Sequence, residues 1–267
     1  MAATPQGASA PPGGPALRLT VEARVARIAL DRPPLHIIDF AMMDALETAI
    51  AVVARNPAVA VAVVSSTGDK AFSAGVDVKI HTPDQAPAML ERFHRAIRAI
   101  GDLPCPTIAG VHGVALGGGF ELALACDMIV AEEGSSFGLP EIWLGCLPPI
   151  AAAMLPHIIT PQKAYELVLS GEPITAAEAK QLGLVNLITP RGTLEAALAA
   201  YVSLFTEKSA AALRLAKRAL RLGEERRKGD ALREIEALYR EELMNTEDAR
   251  EGILAYMEKR EAKWTDR

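Results

Sequence analysis

The chain has 267 residues, 50% of them hydrophobic, and a formal net charge of −5 at pH 7. That length can form one large domain, or one domain with a helical extension. The acidic balance argues against nucleic-acid binding, and no run is long and apolar enough to cross a membrane. The three cysteines and five histidines show no metal-ligand spacing, so no metal site is expected. With an odd cysteine count and no secretory signal, we expect a cytoplasmic protein with reduced thiols.

The first part of the chain predicts a tail followed by strands and a helix. Residues 1–15 are mostly Ala, Pro and Gly and predict a disordered tail. Leu17–Val21 and Val25–Leu30 predict a β-hairpin. Ile38–Val53 has the apolar spacing of a helix. The β-branched run Val59–Ser65 is typical of a strand that is buried on both faces.

The segment after this strand, residues 70–77, is the first candidate for a ligand site. It reads Lys-Ala-Phe-Ser-Ala-Gly-Val-Asp, and its small residues leave backbone N–H groups accessible. Ligands of open α/β sheets usually bind beyond the carboxyl ends of the strands. A helix is predicted over Pro83–Ile100 with an interruption near Pro87, and a strand over Thr107–Val111 follows it.

A triple glycine, Gly117–Gly119, follows the strand and opens a predicted helix over Phe120–Cys126. Backbone N–H groups at a helix N-terminus can bind a phosphate or stabilise an oxyanion. Glu121 stands where a phosphate loop would carry Lys and Ser or Thr, which favours the oxyanion and makes Glu121 a candidate acid or base. A glycine-rich turn that only packs a helix against a strand explains this stretch equally well. A second acid, Glu141, follows the predicted strand Met128–Ala131.

Three ordered motifs resemble the crotonase superfamily, the enoyl-CoA hydratases and isomerases. They are AFSAGVD at 71–77, VALGGGFELALACD at 114–127 and FGLPEIWLGCLP at 137–148. The resemblance covers the chain from about Leu17 to its end. It implies an α/β fold in which a spiral of repeated β-β-α units forms a core domain at residues 16–192. It also implies a helical C-terminal oligomerisation region at residues 193–267.

The resemblance assigns roles to individual residues. The backbone N–H groups of Ser73 and Gly118 would form an oxyanion hole for the thioester carbonyl as it becomes an enolate. Glu121 and Glu141 would hold one water between them and add it to an enoyl thioester. Two carboxyl groups at one small site repel, so one of their pKa values should rise. Coenzyme A would enter as part of the substrate, without a separate cofactor. Besides Ser73 and Gly118, the positions implied to bind the CoA ester are Ala74, Gly75, Val76, Asp77, Gly117 and Lys259.

The segment after Glu141 departs from the hydratase pattern. Family hydratases commonly carry Gly-x-x-Pro-Gly-Ala-Gly-Gly here, whereas Pro149 replaces a glycine and removes a backbone N–H near the water site. The Pro148-Pro149 pair and the Arg-Pro-Pro-Leu at 32–35 resemble the cyclohexa-1,5-diene-1-carbonyl-CoA hydratases of anaerobic aromatic degradation. Alternatives are a short-chain enoyl-CoA hydratase of fatty-acid β-oxidation, or an acyl-CoA isomerase, lyase or dehalogenase on the same scaffold. A non-catalytic CoA-ester-binding or RNA-binding protein is a further alternative.

From residue 193 the chain is predicted to be almost wholly helical. Three segments carry an apolar stripe opposite charged residues, namely Leu194–Phe205, Ala210–Leu222 and Ala231–Met244. Lys217 is expected to be solvated on this pattern. The apolar surface exceeds what a small helical appendage can bury alone, which predicts packing onto a neighbouring subunit. The family resemblance implies a homotrimer or homohexamer.

Overall fold

The structure is a computed structural model that describes residues 16–208, 210, 213–218, 220–221, 238–245 and 247–263. The tail predicted at residues 1–15 lies outside the described residues, and so does the first half of the helix predicted at Ala231–Met244. Among the described residues, no helix is both long enough and apolar enough to cross a membrane.

The strands build two sheets. They are β1 (Leu17–Glu22), β2 (Val25–Leu30), β3 (Val61–Ser66), β4 (Ala71–Ser73), β5 (Thr107–Val111), β6 (Val114–Leu116), β7 (Met128–Glu132), β8 (Ser136–Gly138), β9 (Ile174–Thr175) and β10 (Leu187–Thr189). The larger sheet has the order β1-β2-β3-β5-β7-β10, and the smaller sheet has the order β4-β6-β8-β9.

The helices connect and cover these sheets. The α-helices with both ends among the described residues are α1 (Phe40–Ala54), α2 (Ala86–Gly101), α3 (Gly118–Leu124), α4 (Pro149–Ile158), α5 (Pro161–Ser170), α6 (Ala176–Gln181), α7 (Leu194–Thr206) and α8 (Glu247–Glu258). Residues 213–218 are also helical. Short 3-10 helices occupy Val78–Ile80, Pro140–Leu144 and Leu243–Asn245, and a π-helical turn occupies Leu238–Glu242.

A repeated unit runs through the core of the fold. A strand of the large sheet, a strand of the small sheet and a helix follow one another as β3-β4-α2 and again as β5-β6-α3. A third unit, β7-β8, leads through a 3-10 helix into α4. The predicted α/β spiral of β-β-α units is therefore confirmed.

The strand β3 shows why its sequence is apolar throughout. It pairs in parallel with both β2 and β5, so it lies inside the large sheet. Alternate residues pack into two separate hydrophobic clusters, Ala62 and Val64 into one and Val61 and Val63 into the other. Both faces of the strand are thus buried, as a continuous β-branched run indicates.

The helices α2 and α3 begin at other residues than expected. The interruption predicted near Pro87 is wrong, because a single helix begins at Ala86 and Pro87 lies in its first turn. Proline fits there since the first-turn N–H groups have no intrahelical acceptor. The helix α3 begins at Gly118, two residues before the predicted start. This earlier start places the Gly118 N–H at the head of the helix, free of any intrahelical bond.

The C-terminal region differs from its predicted pattern in two places. Lys217 is not solvated: its side chain is 7% exposed, and its Nζ lies 2.6 Å from Asp127 and 3.0 Å from the Cys105 carbonyl oxygen. The amphipathic pattern missed this because the burying partner lies far upstream in the chain. The end of the predicted helix Ala231–Met244 is not α-helical, since residues 238–245 form the π and 3-10 turns.

Candidate active site

The residues of the candidate site follow three parallel strands of the small sheet, at the edge where these strands end. β4 and β8 each pair in parallel with β6, so their carboxyl ends lie side by side. β4 ends at Ser73, β6 leads into Gly117, and β8 leads through Leu139 to Glu141. The ladder continues beyond β6, where the Gly117 N–H donates to the Gly138 carbonyl at 2.9 Å. Sequence positions 73, 117–121 and 141 therefore meet in space.

The loop after β4 is held by its own serine. Ser73 is fully buried, and its Oγ donates to the His36 carbonyl at 2.8 Å and accepts the Gly75 N–H at 3.1 Å. The Ala74 N–H donates to the Leu35 carbonyl at 2.8 Å. The Ser73 hydroxyl thus forms its hydrogen bonds within the protein. We therefore expect this residue to contact a ligand through its backbone.

The two small-residue loops touch backbone to backbone. A Cβ on Gly119 would lie 2.4 Å from the Ser73 carbonyl oxygen. A Cβ on Gly75 would lie 3.3 Å from the Gly118 nitrogen and 2.7 Å from the Leu116 carbonyl oxygen. No side chain fits at either position, which gives a physical reason for glycine in both loops. The predicted convergence of the loops is present in the structure.

Glu121 lies in the first turn of α3 and is only 2% exposed. Its Oε1 accepts the backbone N–H groups of Ile150 and Ala151, both at 2.9 Å. These donors belong to the first turn of α4, where N–H groups lack intrahelical acceptors and favour negative charge. Burial raises the pKa of Glu121 to about 7, although the two backbone donors act to lower it.

Glu141 lies in the first turn of the 3-10 helix and has a different environment. Its Oε2 is buried without a hydrogen-bond partner among the described residues. Its Oε1 would lie 2.8 Å from a Cβ on Gly117, whose φ of +51° also favours glycine. Burial and the charge of Glu121 raise the pKa of Glu141 well above its usual range.

The two acids therefore share one site and differ in their preferred protonation state. Glu121 has two backbone donors that stabilise its charge, whereas Glu141 has an unpartnered oxygen beside another carboxylate. Burial acts on both carboxyl groups, and the charge of Glu121 further favours the protonated form of Glu141, so a proton shared by the pair prefers Glu141. Such a pair offers one base and one acid to a reacting molecule.

Pro149 has a local role that its sequence context did not reveal. It occupies the first turn of α4, where a proline costs no intrahelical hydrogen bond. The next two N–H groups, those of Ile150 and Ala151, are the donors to Glu121. These two backbone groups were missed by sequence reasoning, although proline at a helix start is a signal that the following N–H groups are free.

The remaining predicted substrate-binding positions lie around the loop after β4. The Asp77 side chain accepts the Lys79 N–H at 3.0 Å and caps the 3-10 helix Val78–Ile80. Val76 lies against α3, since its Cγ2 would be 2.7 Å from a Cβ on Gly118. Lys259 is exposed and directly follows α8, which packs against the helix Val78–Ile80. Of these positions, Val76 and Asp77 lie in the loop itself, and α8 contacts the short helix that follows the loop.

The described residues support neither thiol chemistry nor metal binding at this site. Cys146 is buried, its Sγ donates to the Leu144 carbonyl at 3.7 Å, and burial raises its pKa to about 12. A thiol in that state is a poor nucleophile. Within the described ranges, no group of three or more His, Cys, Asp or Glu side chains is arranged to hold a metal ion.

Known proteins resemble this chain over most of its length. The enoyl-CoA hydratase/isomerase family model matches residues 20–267. A cyclohexa-1,5-dienecarbonyl-CoA hydratase from Thauera aromatica is 37% identical over 241 residues, which cover 90% of this chain and 93% of the relative. A carnitinyl-CoA dehydratase from Salmonella arizonae is 35% identical over 259 residues, which cover 93% of this chain and 97% of the relative.

Solved structures agree with these matches. An enoyl-CoA hydratase from Mycobacterium avium subsp. paratuberculosis superposes with a TM-score of 0.84 at 27% identity, covering 94% of this chain and 99% of that one. A carnitinyl-CoA hydratase from Mycobacterium avium gives a TM-score of 0.82 at 33% identity, covering 96% of this chain and 100% of that one. The predicted family and the expectation of a hydratase-type enzyme are confirmed, and the chain belongs to the enoyl-CoA hydratase/isomerase family.

Proposed function

We propose that this chain adds water reversibly to an α,β-unsaturated acyl-CoA thioester, and that the acyl group is a cyclic diene such as cyclohexa-1,5-diene-1-carbonyl. The observation that carries the chemistry is the unequal carboxyl pair. Glu121 is poised as a base by two backbone donors, and Glu141 retains its proton. Hydration needs one group that accepts a proton from water and one that returns a proton to carbon.

The reaction is balanced by these two groups alone. As the water oxygen bonds to the β-carbon, Glu121 takes the proton that water loses. The electron pair of the carbon–carbon double bond moves toward the thioester carbonyl, which becomes an enolate. Glu141 then gives its proton to the carbon skeleton, further along the conjugated system for a cyclic diene. The product has gained one water, and the pair resets by passing a proton from Glu121 to Glu141.

The two loops that contact each other are proposed to stabilise the negative charge that grows on the carbonyl oxygen. The backbone N–H groups of Ser73 and Gly118 are proposed to donate to this oxygen. Fixed donors stabilise an oxyanion more than a neutral carbonyl, and removal of one such donor typically costs about 3 kcal/mol. The Ser73 hydroxyl already hydrogen-bonds within the protein, which supports a contact of the carbonyl oxygen with the Ser73 backbone rather than with its side chain.

The CoA part of the substrate is proposed to lie along residues 73–77, with Lys259 near its phosphates. The packing of α8 against the helix Val78–Ile80 supports this placement, since it brings α8 next to the short helix that follows the loop. No separate cofactor is proposed. A homotrimer or homohexamer remains a prediction for the assembly.

The cyclic acyl group rests on two observations. The relative from Thauera aromatica, which is 37% identical, is a cyclohexa-1,5-dienecarbonyl-CoA hydratase. The Pro148-Pro149 sequence, which motivated the same prediction, forms the start of α4 directly above the Glu121 carboxylate. A linear enoyl group is the competing substrate, as in a short-chain hydratase.

Mass spectrometry of products from a panel of linear and cyclic enoyl-CoA esters tests the proposal. We expect the cyclic dienoyl ester to gain the mass of one water and crotonyl-CoA to react poorly. Preferential hydration of crotonyl-CoA would contradict the cyclic substrate and indicate a linear enoyl ester instead. A product of unchanged mass with a moved double bond, or a cleaved chain, would overturn hydration itself.

A further inference from the structure

His36 is a buried histidine that the proposed mechanism leaves unused. It lies in the loop between β2 and α1 and is 0% exposed. Its backbone has a φ of +47°, in the left-handed region that few residues other than glycine adopt. Strained conformations of this kind persist only where the surrounding structure holds them, and they cluster at functional sites.

The imidazole ring of His36 connects two separate segments. Its Nδ1 accepts the Arg32 N–H at 3.1 Å, and its Nε2 lies 2.7 Å from the carbonyl oxygen of Thr67, between β3 and β4. A donor at one nitrogen and an acceptor at the other fit only the neutral ring with its proton on Nε2. Burial lowers the pKa of His36, which favours the same neutral form. The ring therefore ties the loop after β2 to the connection after β3.

The backbone at His36 carries the start of the loop that follows β4. The His36 carbonyl oxygen accepts the Ser73 hydroxyl at 2.8 Å. The Leu35 carbonyl oxygen accepts the Ala74 N–H, also at 2.8 Å. The position of Ser73 is thus set from two directions, by the pairing of β4 with β6 and by the backbone at residues 35 and 36.

The same contact continues along the rest of the loop. The Ile38 N–H donates to the Gly75 carbonyl at 2.9 Å, and the Ile38 carbonyl accepts the Asp77 N–H at 3.0 Å. Ile38 and Val76 form a parallel β-bridge. Segment 35–38 therefore lies along the loop as an added strand would, and the His36 ring bonds this segment to the connection between β3 and β4.

We infer that His36 is a positioning residue, whose buried ring holds segment 35–38 so that the Ser73 N–H points at the substrate carbonyl. This inference rests on the proposed function, in which that N–H stabilises the enolate oxygen. A backbone donor moves only with its loop, so its direction depends on the segment that supports the loop. A displacement of about 1 Å can lower the rate about a hundredfold, even when its cause lies away from the reacting atoms.

The His36→Asn variant tests this inference through the difference between turnover and ground-state binding. Asparagine tolerates a left-handed backbone, and its Oδ1 can still accept the Arg32 N–H, but its side chain is too short to reach Thr67. We expect kcat for hydration to fall about tenfold, a part of the loss that removal of a whole oxyanion donor causes. Calorimetry with a saturated acyl-CoA should give a Kd within about twofold of native, because the oxyanion donors act mainly in the transition state.

His36→Gln is the conservative variant that should restore activity. Its amide nitrogen can occupy the place of Nε2 and donate to Thr67, so we expect kcat within about threefold of native if this bond carries the effect. His157→Asn is the matched control, because that histidine is exposed in the last turn of α4. Its kcat and Kd should equal those of the native enzyme.

A double-mutant cycle tests whether His36 acts through the Ser73 hydroxyl. In the Ser73→Ala background, where the bond to the His36 carbonyl is already lost, His36→Asn should lower kcat only about threefold. Native kcat in His36→Asn, equal losses in the Asn and Gln variants, or a full tenfold loss in the Ser73→Ala background would overturn the positioning role. Loss of saturated acyl-CoA binding by His36→Asn would also overturn it, by showing a structural role alone. A native enzyme that hydrates no enoyl ester would instead overturn the proposed function.

Discussion

Glu121→Gln tests the division of labour between the two acids. Glutamine keeps the length of the side chain and an oxygen that can still accept the Ile150 and Ala151 N–H groups. The variant therefore preserves the shape of the site while it removes the ability to accept a proton. General base catalysis contributes roughly 10²–10⁴-fold, so we expect kcat for hydration to fall at least about a hundredfold.

The same substitution has a second, opposite consequence for Glu141. The negative charge of Glu121 is one reason why the pKa of Glu141 lies above its usual range. With that charge removed, the pKa of Glu141 should fall, although burial still raises it. Glu141 must be protonated to act as the acid, so the alkaline decline of the remaining activity should move to lower pH.

The assay follows the loss of absorbance of the conjugated thioester across a pH series, and calorimetry with a saturated acyl-CoA measures binding. We expect binding to stay near native, because the carbonyl contacts are backbone groups. Glu133→Gln, at an exposed position, is the matched control and should leave both quantities unchanged. Retention of more than about a tenth of native turnover by Glu121→Gln would refute its role as the base.

Further predictions follow from the same geometry. For the native enzyme, kcat/KM for hydration should rise with pH up to about 7 as Glu121 ionises, which a pH–rate profile measures. Gly117→Ala should lower kcat more than about tenfold, because its Cβ would lie 2.8 Å from the Glu141 Oε1. Gly192→Ala, at a φ of +79° with nothing within 4 Å, should leave kcat unchanged. Ser73→Ala should lower kcat less than about tenfold because the backbone N–H remains, and should lower the free energy of unfolding by about 2 kcal/mol because two hydrogen bonds of the hydroxyl are lost. Lys217→Met should lower the free energy of unfolding in urea by about 1 kcal/mol with kcat unchanged, because the Lys217 ammonium loses its contacts while the exposed Asp127 keeps two hydrogen bonds from Thr107.

Sequence reasoning worked best where a local pattern has a single structural solution. The alternating burial of β3 follows from its β-branched run, and the contact between Gly119 and Ser73 follows from small residues after parallel strands. The side-by-side placement of positions 73 and 117 also required the pairing of β4 with β6, which was not predicted from the sequence. The strand β8 is three residues long and was too short to be recognised from its pattern.

Other features depend on partners that are distant in sequence. Lys217 has the exposed position of an amphipathic helix in its local pattern, yet its side chain is buried and pairs with Asp127. The environment of Glu121 depends on N–H groups 29 and 30 positions later in the chain. Tyr239 lies in a π-helical turn that its amphipathic pattern does not distinguish from an α-helix. Such contacts are determined by tertiary packing, which local periodicity does not encode.

A crystal structure of Glu141→Gln with a bound, saturated acyl-CoA thioester would examine the carbonyl site most directly. The variant removes the acid but leaves both loops intact. We predict that the thioester oxygen lies about 2.7–3.1 Å from the backbone nitrogens of Ser73 and Gly118, with the β-carbon facing Glu121. A carbonyl oxygen that contacts neither nitrogen, or an acyl chain that points away from both acids, would contradict the proposed mechanism.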